Sequence, residues 1–414
     1  MTQAYVDHPV RGDAGEYINY AWNIAEHGVF SKQARDTTQP VVPDSFRDPG
    51  YPLILAMQIK ATPEFGPWYQ AVMLTQCILG ALTVMCYLLA ARRWLPLHWL
   101  VAAGMLMAVW PHSVTLPIYI VSESLFAFLL AAAFACIAEA TARRSKGWAV
   151  GGAAFFTCAA LTNAVVLPVA PLLAIAGFIW LRSWRPVWIT LLVASLAFSA
   201  PWLLRNAALA SQDSAGGRAA MNFVQGSWPD YHSAYRTHYL NPGHDDGTLE
   251  RIDAEVNLIG TDRKAGYDAV LHRLADNPVR YAGWYASKPA LLWGWDIQMG
   301  DGDIYVYPTV NSPFRTMAPL RALAALIYVL NPLLACLALL GCVASLCRPK
   351  EPVAFGIASV LIFVTAVYTI LQAEPRYAIA FRGAEMIMAT YGMALAAQWV
   401  RRRKQRGLTE APAH

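Results

Sequence analysis

The residues able to do chemistry in this chain stand just ahead of its first long apolar run. Arg11-Gly12-Asp13-Ala14-Gly15-Glu16-Tyr17 supplies two carboxylates three positions apart. Arg47-Asp48-Pro49-Gly50-Tyr51-Pro52 adds a cation, a turn and an aromatic ring. A positioned carboxylate can take the proton of a hydroxyl as that hydroxyl attacks an electrophile. Asp13 is the first choice for such a base, and Glu16 would share its helix face one turn on. Asp13 has a simpler role as N-cap of the helix that follows, and the two roles are compatible. Glu16 also reads as an ordinary solvated side chain.

The rest of the chain decides where these groups sit. It has 414 residues, 57% hydrophobic and only 14% charged, against about 25% charged for soluble domains. That composition describes an integral membrane protein. Its fold class is all-α and polytopic, because lipid offers backbone groups no partner outside a helix. Apolar runs near 68–91, 97–112, 118–139, 148–163, 165–181, 186–205, 320–346, 352–372 and 380–400 give about nine spans, each needing roughly 20 apolar residues. The seven cysteines all lie in or beside these runs, so they imply neither a disulfide framework nor a cysteine zinc site.

The cations set the orientation. Arg92 and Arg93, Arg143, Arg144 and Lys146, Arg182 and Arg185, Arg348 and Lys350, and the run from Arg401 to Arg406 follow alternate spans. By the positive-inside bias these ends and the C-terminal tail are cytoplasmic. Clusters in that pattern are topology determinants rather than a nucleic-acid surface, and no nucleic-acid partner is expected. Five segments result: 1–67 outside with interfacial helices and Asp13; 68–205 in the membrane; 206–319 outside with amphipathic helices; 320–400 in the membrane; 401–414 a basic cytoplasmic tail. With 1–67 outside and no apolar run before it, a membrane helix ahead of Met1 is expected.

Within the outer segments, Asp13 begins a helix with Tyr17, Ile18, Trp22 and Ile24 on its apolar side, and Gly28 ends it. Residues 249–275 read as helical, and 278–295 as an interfacial helix pair. His232, His238 and His244 with Asp245 and Asp246 invite a metal reading, but their spacing matches no ligand pattern, and solvated loop residues are the plainer account. His112 reads as a satisfied interfacial histidine. A Gly-rich phosphate loop and a zinc-protease motif are both absent from the sequence.

GDAGEY, RDPGYP, PWLLRN (Pro201 to Asn206), VSESLFAFLL (Val121 to Leu130) and EPRY (Glu374 to Tyr377) occur in an order that resembles the membrane-embedded GT-C glycosyltransferases. The nearest group is glycosyltransferase family 39, which includes protein-mannosyltransferase-like and lipid A aminoarabinose-transferase-like enzymes. The resemblance implies a GT-C-like bundle, an outward-facing site and inverting transfer from a polyprenyl-phosphate-linked sugar to an acceptor glycan, lipid or protein, in a bacterial inner membrane with the site on the periplasmic face. The chain departs from the family in reading Asp13-Ala14 where relatives carry an acidic pair. A divalent metal is therefore left open and no other cofactor is implied.

On that resemblance Asp13 is the base and Glu16 its helper. Arg205, Arg47, Lys288 and Arg376 would hold the donor phosphate, since guanidinium forks match phosphate oxygens. Tyr51, Glu123, Glu374 and Tyr377 would contact substrate. Each has a plainer alternative: Arg205 as an interfacial anchor, Glu123 as a solvated carboxylate near the outer start of the third span, and Glu374 with Arg376 as a local ion pair. Two other readings compete, a non-catalytic transporter or lipid flippase, and an inactive assembly protein.

Overall fold

The computed structural model describes residues 6, 8–35, 38–209, 214–240 and 247–409. Among them the regular structure is helical, with two isolated bridges, Ser45 to Ser214 and Gly302 to Tyr305. The helices are α1 (Asp13–His27), α2 (Gly50–Ala61), α3 (Phe65–Ala91), α4 (Leu97–Val109), α5 (Pro111–Thr115), α6 (Glu123–Arg143), α7 (Lys146–Ala160), α8 (Val169–Trp180) and α9 (Arg185–Ala207). There follow α10 (Ala215–Ser227), α11 (Tyr231–Leu240), α12 (Thr248–Thr261), α13 (Arg263–Asp276), α14 (Pro278–Leu292), α15 (Pro313–Thr316), α16 (Ala318–Cys347), α17 (Pro352–Ile370), α18 (Pro375–Ala378) and α19 (Arg382–Thr409).

Each expected span contains helix, but not all are equal. Phe65–Ala91, Glu123–Arg143, Arg182–Ala207, Ala318–Cys347 and Pro352–Ile370 are long and apolar enough to cross a membrane. Leu97–Val109 and Pro111–Ile118 form a sixth only if taken as one span bent by 50°. Pro111 causes that bend, since a proline lacks the N–H of the helix ladder. The runs at 148–163 and 165–181 become α7 and α8, of 15 and 12 residues, roughly 22 and 18 Å long against a hydrocarbon core of about 30 Å. α19 is long, but Arg382, Glu385 and its basic end dilute its apolar character.

α6 is the interior helix. Of its apolar window 72% is buried, against 28% for α3 and 22% for α16. Its alanine-rich sequence lets α3 and α7 approach closely from different sides. A helix apolar all round is suited to that place. The two ends of α6 differ chemically. At one, Arg92, Arg93 and Arg143 converge on Glu139 at 2.7–2.9 Å. At the other stands Glu123, 20 residues before Arg143 and so about 30 Å away along the axis.

α1 and α2 pack together beside α3, and the RDPG turn anchors them. Asp48 accepts bonds from Ala164 N (3.1 Å) and from Arg218 of α10 (2.8 Å). Gly50 N donates to Leu161 O at 2.6 Å, an approach that a Cβ there would obstruct. Gly28 ends α1 in the left-handed region, as expected.

Helices α10 to α13 carry a small apolar cluster of their own, including Val224, Ile252 and Val270. The expected helix 249–275 is broken at Asp262, whose carboxylate caps α13 through Ala265 N. The expected pair at 278–295 is instead one helix, α14, capped by Asn277.

α16 and α19 pack closely along their length because glycine faces carbonyl in both directions. Gly341 meets Met388 O, and Gly392 meets Leu337 O, with no room for a Cβ at either. Gly392→Val should therefore destabilise the protein by about 1–3 kcal/mol, the usual range for overpacking, read as a lowered thermal midpoint in detergent. An unchanged midpoint would show that the two helices do not meet there.

Candidate active site

Asp13 is the first residue of α1, not its cap. Gly12 takes the cap position at φ +56°, and no side chain closes the helix end. The N-cap expectation for Asp13 is thus corrected, because its carboxylate is turned away towards two arginines. Oδ1 accepts from Arg47 Nη2 at 2.7 Å and Oδ2 from Arg376 Nη2 at 2.8 Å. Each guanidinium then uses its Nε on a further carboxylate: Arg47 on Glu16 at 2.5 Å, and Arg376 on Glu123 at 2.7 Å. The five residues form one alternating chain, Glu16–Arg47–Asp13–Arg376–Glu123.

Four separate segments build that chain. α1 presents Asp13 and Glu16 one turn apart, the RDPG turn supplies Arg47, α6 begins at Glu123, and α18 carries Arg376. The arginine side chains are 12–15% exposed and Glu123 is 11%, whereas Asp13 is 31% and Glu16 39%. The network is therefore buried at its base and open to water on the α1 side. Taking these ions out of water is costly unless each is paired, which the alternation achieves, save that Glu123 Oε2 is buried and has no partner among the described residues.

Burial alone would raise the pKa of Asp13, but the neighbouring Arg376 and Arg47 outweigh it and hold the carboxyl well below the usual carboxylate range. In this arrangement Asp13 is always ionised at neutral pH and is a weak base. Its basicity would rise if either guanidinium turned to another anion.

Tyrosines surround the network. Tyr17 donates to Ser122 Oγ at 3.2 Å, and its ring lies 5.3 Å beneath the Arg47 guanidinium. Tyr51 is 2% exposed and packs edge-on against Tyr17 at 5.1 Å, so it backs the site as a wall. Tyr307 comes from the loop after α14. Its hydroxyl donates to Arg11 O at 3.0 Å.

The other expected site residues occupy different places. Glu374 does not pair with Arg376, so the expected local ion pair is not formed. It is 1% exposed, accepts from Gln298 N (2.6 Å) and Met299 N (3.4 Å), and stands 3.3 Å from His232. Tyr377 donates to Gln372 Oε1 at 3.1 Å and stacks on Tyr368. Lys288 is fully buried, donating to Gly226 O at 2.9 Å and to Leu371 O, and burial pulls its pKa down to about 7. Arg205 donates to Asp44 O (2.6 Å) and Asn206 Oδ1 (2.9 Å) and lies over Trp202 and Phe30.

Among the described residues no three His, Cys, Asp or Glu side chains converge as a metal site; His244, Asp245 and Asp246 lie outside those residues. The carboxylates of Asp13, Glu16 and Glu123 are bridged by guanidiniums in the positions a cation would take. The set does not fit a divalent ion without displacing an arginine. His112 is buried, with Nε2 at 3.1 Å from Trp295 O and 3.3 Å from Asp303 O.

A cavity of about 490 Å³ lies between α3, α4, α5, α6 and the start of α19, and none of the five network residues lines it. Its lining is mostly apolar, from Gly80, Ala81 and Ala127 to Met107 and Met386, with Thr83, Ser113 and Ser124 among it. Ser124 follows Glu123 directly, and Ile379 stands three residues after Arg376.

No known protein-family model matches this chain, and no curated protein matches it. Among solved structures it is similar to ArnT from Cupriavidus metallidurans, in the apo state and bound to undecaprenyl phosphate. Each comparison gives a TM-score of 0.38 at 15% identity; 92% of this chain is covered, with 72% of the apo and 74% of the bound ArnT chain. The class defined by the helices themselves is an all-α integral membrane protein with an ionic network at one end of its central helix.

The network makes a pH prediction. Asp13 is depressed below its unfolded value of about 3.9, so its contribution to stability is complete above that pH and is lost only as pH falls towards the folded value. Wild-type stability should be insensitive to this group between pH 5 and 7. Arg376→Gln leaves Asp13 short of a cation, which raises its pKa and penalises its charged form. The loss, at most about 3 kcal/mol given the partial exposure, should be larger at pH 7 than at pH 5. Thermal midpoints at the two pH values check this, and a pH-independent loss would contradict it.

Proposed function

We propose that this protein is an inverting glycosyltransferase that moves a sugar from a polyprenyl-phosphate donor to an acceptor hydroxyl of a glycan, lipid or protein. The observation that carries the reading is the Glu16–Arg47–Asp13–Arg376–Glu123 network at one end of α6. A carboxylate held by two guanidiniums brings together a proton acceptor and groups able to turn towards a phosphate leaving group. The glycosyltransferase family 39 likeness rests on the short motifs alone.

The acceptor oxygen attacks the anomeric carbon, the carbon–oxygen bond to phosphate breaks, and the phosphate leaves with the bonding electrons. The acceptor proton passes to Asp13. A guanidinium turning from Asp13 towards the departing phosphate would stabilise the leaving group and restore basicity to the carboxylate at the same moment. Glu16 retains Arg47, and the free oxygen of Glu123 receives a sugar hydroxyl. The lysine and arginine bias supports an outer placement of this end of the bundle, with the C-terminus in the cytoplasm, and the family resemblance alone supports a bacterial inner membrane and its periplasmic face.

A transporter or flippase would place its working charges near mid-depth between related halves. In the deeply buried pair here, Arg382 and Glu385 at 2.8 Å, Arg382 also donates to Asn331 Oδ1 and to Gly294 O, which suits a structural anchor. Asp13→Asn should fold and bind donor normally but lower transfer by at least about 10²-fold. Sugar release from a polyprenyl-phosphate donor by the purified protein measures this. Near-normal turnover would remove Asp13 from the reaction, and the absence of release by the wild type would remove the reading.

A further inference from the structure

The cations expected to hold an anion are already committed. Arg47 and Arg376 are shared among three carboxylates, so the network carries one more negative than positive charge. Arg205 is held by a backbone carbonyl, an amide oxygen and two rings. Lys288 is enclosed against two carbonyls. An anionic headgroup approaching Asp13 would meet net repulsion unless another cation faces it.

Arg11 is that cation. Its guanidinium lies 5.1 Å from the centre of the Tyr307 ring, and it makes no ion pair among the described residues. Its Nε is buried without a hydrogen-bond partner. Arg11 stands two residues before Asp13, and Tyr307 holds both its backbone carbonyl and its guanidinium, so the side chain is fixed on the stretch of chain that presents Asp13. The backbone is built for this placement. Tyr307 OH donates to Arg11 O, Tyr119 OH donates to Tyr307 O at 3.2 Å, and Gly12 adopts φ +56° where a Cβ would collide with the Tyr307 hydroxyl. A guanidinium stacked on a ring keeps its in-plane N–H groups free for oxygen anions.

We propose that Arg11, held by Tyr307, is the receptor for a phosphate group at this site, and that its charge offsets the excess of carboxylate around Asp13. The ligand class is a phosphate ester with an apolar tail, and in this respect the proposal rests on the reading of the site given above. Arg11 is a binding residue here, and Tyr307 and Gly12 position it.

Purified full-length protein in neutral detergent tests this with three probes: farnesyl phosphate, farnesol and inorganic phosphate. Wild type should bind farnesyl phosphate more tightly than farnesol, and more tightly at pH 7.5 than at pH 5, as the phosphate passes its second ionisation near pH ~6. Arg11→Gln should weaken farnesyl phosphate binding by about tenfold or more, flatten that pH dependence and leave farnesol binding unchanged. Arg11→Lys should restore part of the affinity, which a folding defect would not allow. Competition by inorganic phosphate alone, lost with Arg11→Gln, would support the same residue and identify the ligand as free phosphate. Undiminished preference for farnesyl phosphate in Arg11→Gln overturns the proposal and leaves the glycosyltransferase reading standing. Equal binding of farnesyl phosphate and farnesol by wild type overturns both.

Discussion

The structure depends on one guanidinium. Arg376 spans the gap between the start of α1 and the start of α6, with Nη2 on Asp13 and Nε on Glu123. Neither carboxylate belongs to a segment near Arg376 in the chain, so the bridge closes the bundle end rather than a local turn. Its energetic logic is that of a buried charge: three carboxylates at a helix-bundle mouth would repel one another, and cations interleaved among them make the arrangement tolerable. Removing a bridge leaves uncompensated charge, so the sites on either side are coupled.

The helical scaffold explains how those groups meet. α6 runs through the interior with Glu123 at one end and Glu139 near the other, under Arg92, Arg93 and Arg143. The RDPG turn fixes Arg47 by tying Asp48 and Gly50 to the turn after α7. Glu374 fixes the other side, binding the backbone of Gln298 and Met299, and so holds the short segment that carries Arg376. Glu374 thus supports the site from behind.

Much of this was legible in the residue order. The apolar runs announced a helical membrane protein, and alternate basic loops separated its two ends. Asp13, Glu16, Arg47, Glu123 and Arg376 all stood out as charges at the less basic end. Their pairing did not, because Asp13 and Arg376 are 363 positions apart and Glu374 offered a nearer partner on paper. The shortness of α7 and α8 was hidden for a related reason, since hydropathy does not register where a chain leaves its helix. Arg11 and Tyr307 were invisible as a pair: their contact depends on a positive φ at Gly12 and on a loop almost 300 residues away, neither of which leaves a periodic signal.

The central claim is that Asp13 and Arg376 act as one unit across the bundle end. A double-mutant cycle on Asp13→Asn and Arg376→Gln, with unfolding free energies measured in the same detergent at pH 7, tests it most directly. The account predicts a coupling of about 1 kcal/mol or more, the size expected for residues in one ionic network. Additivity of the two substitutions to within about 0.5 kcal/mol would contradict it.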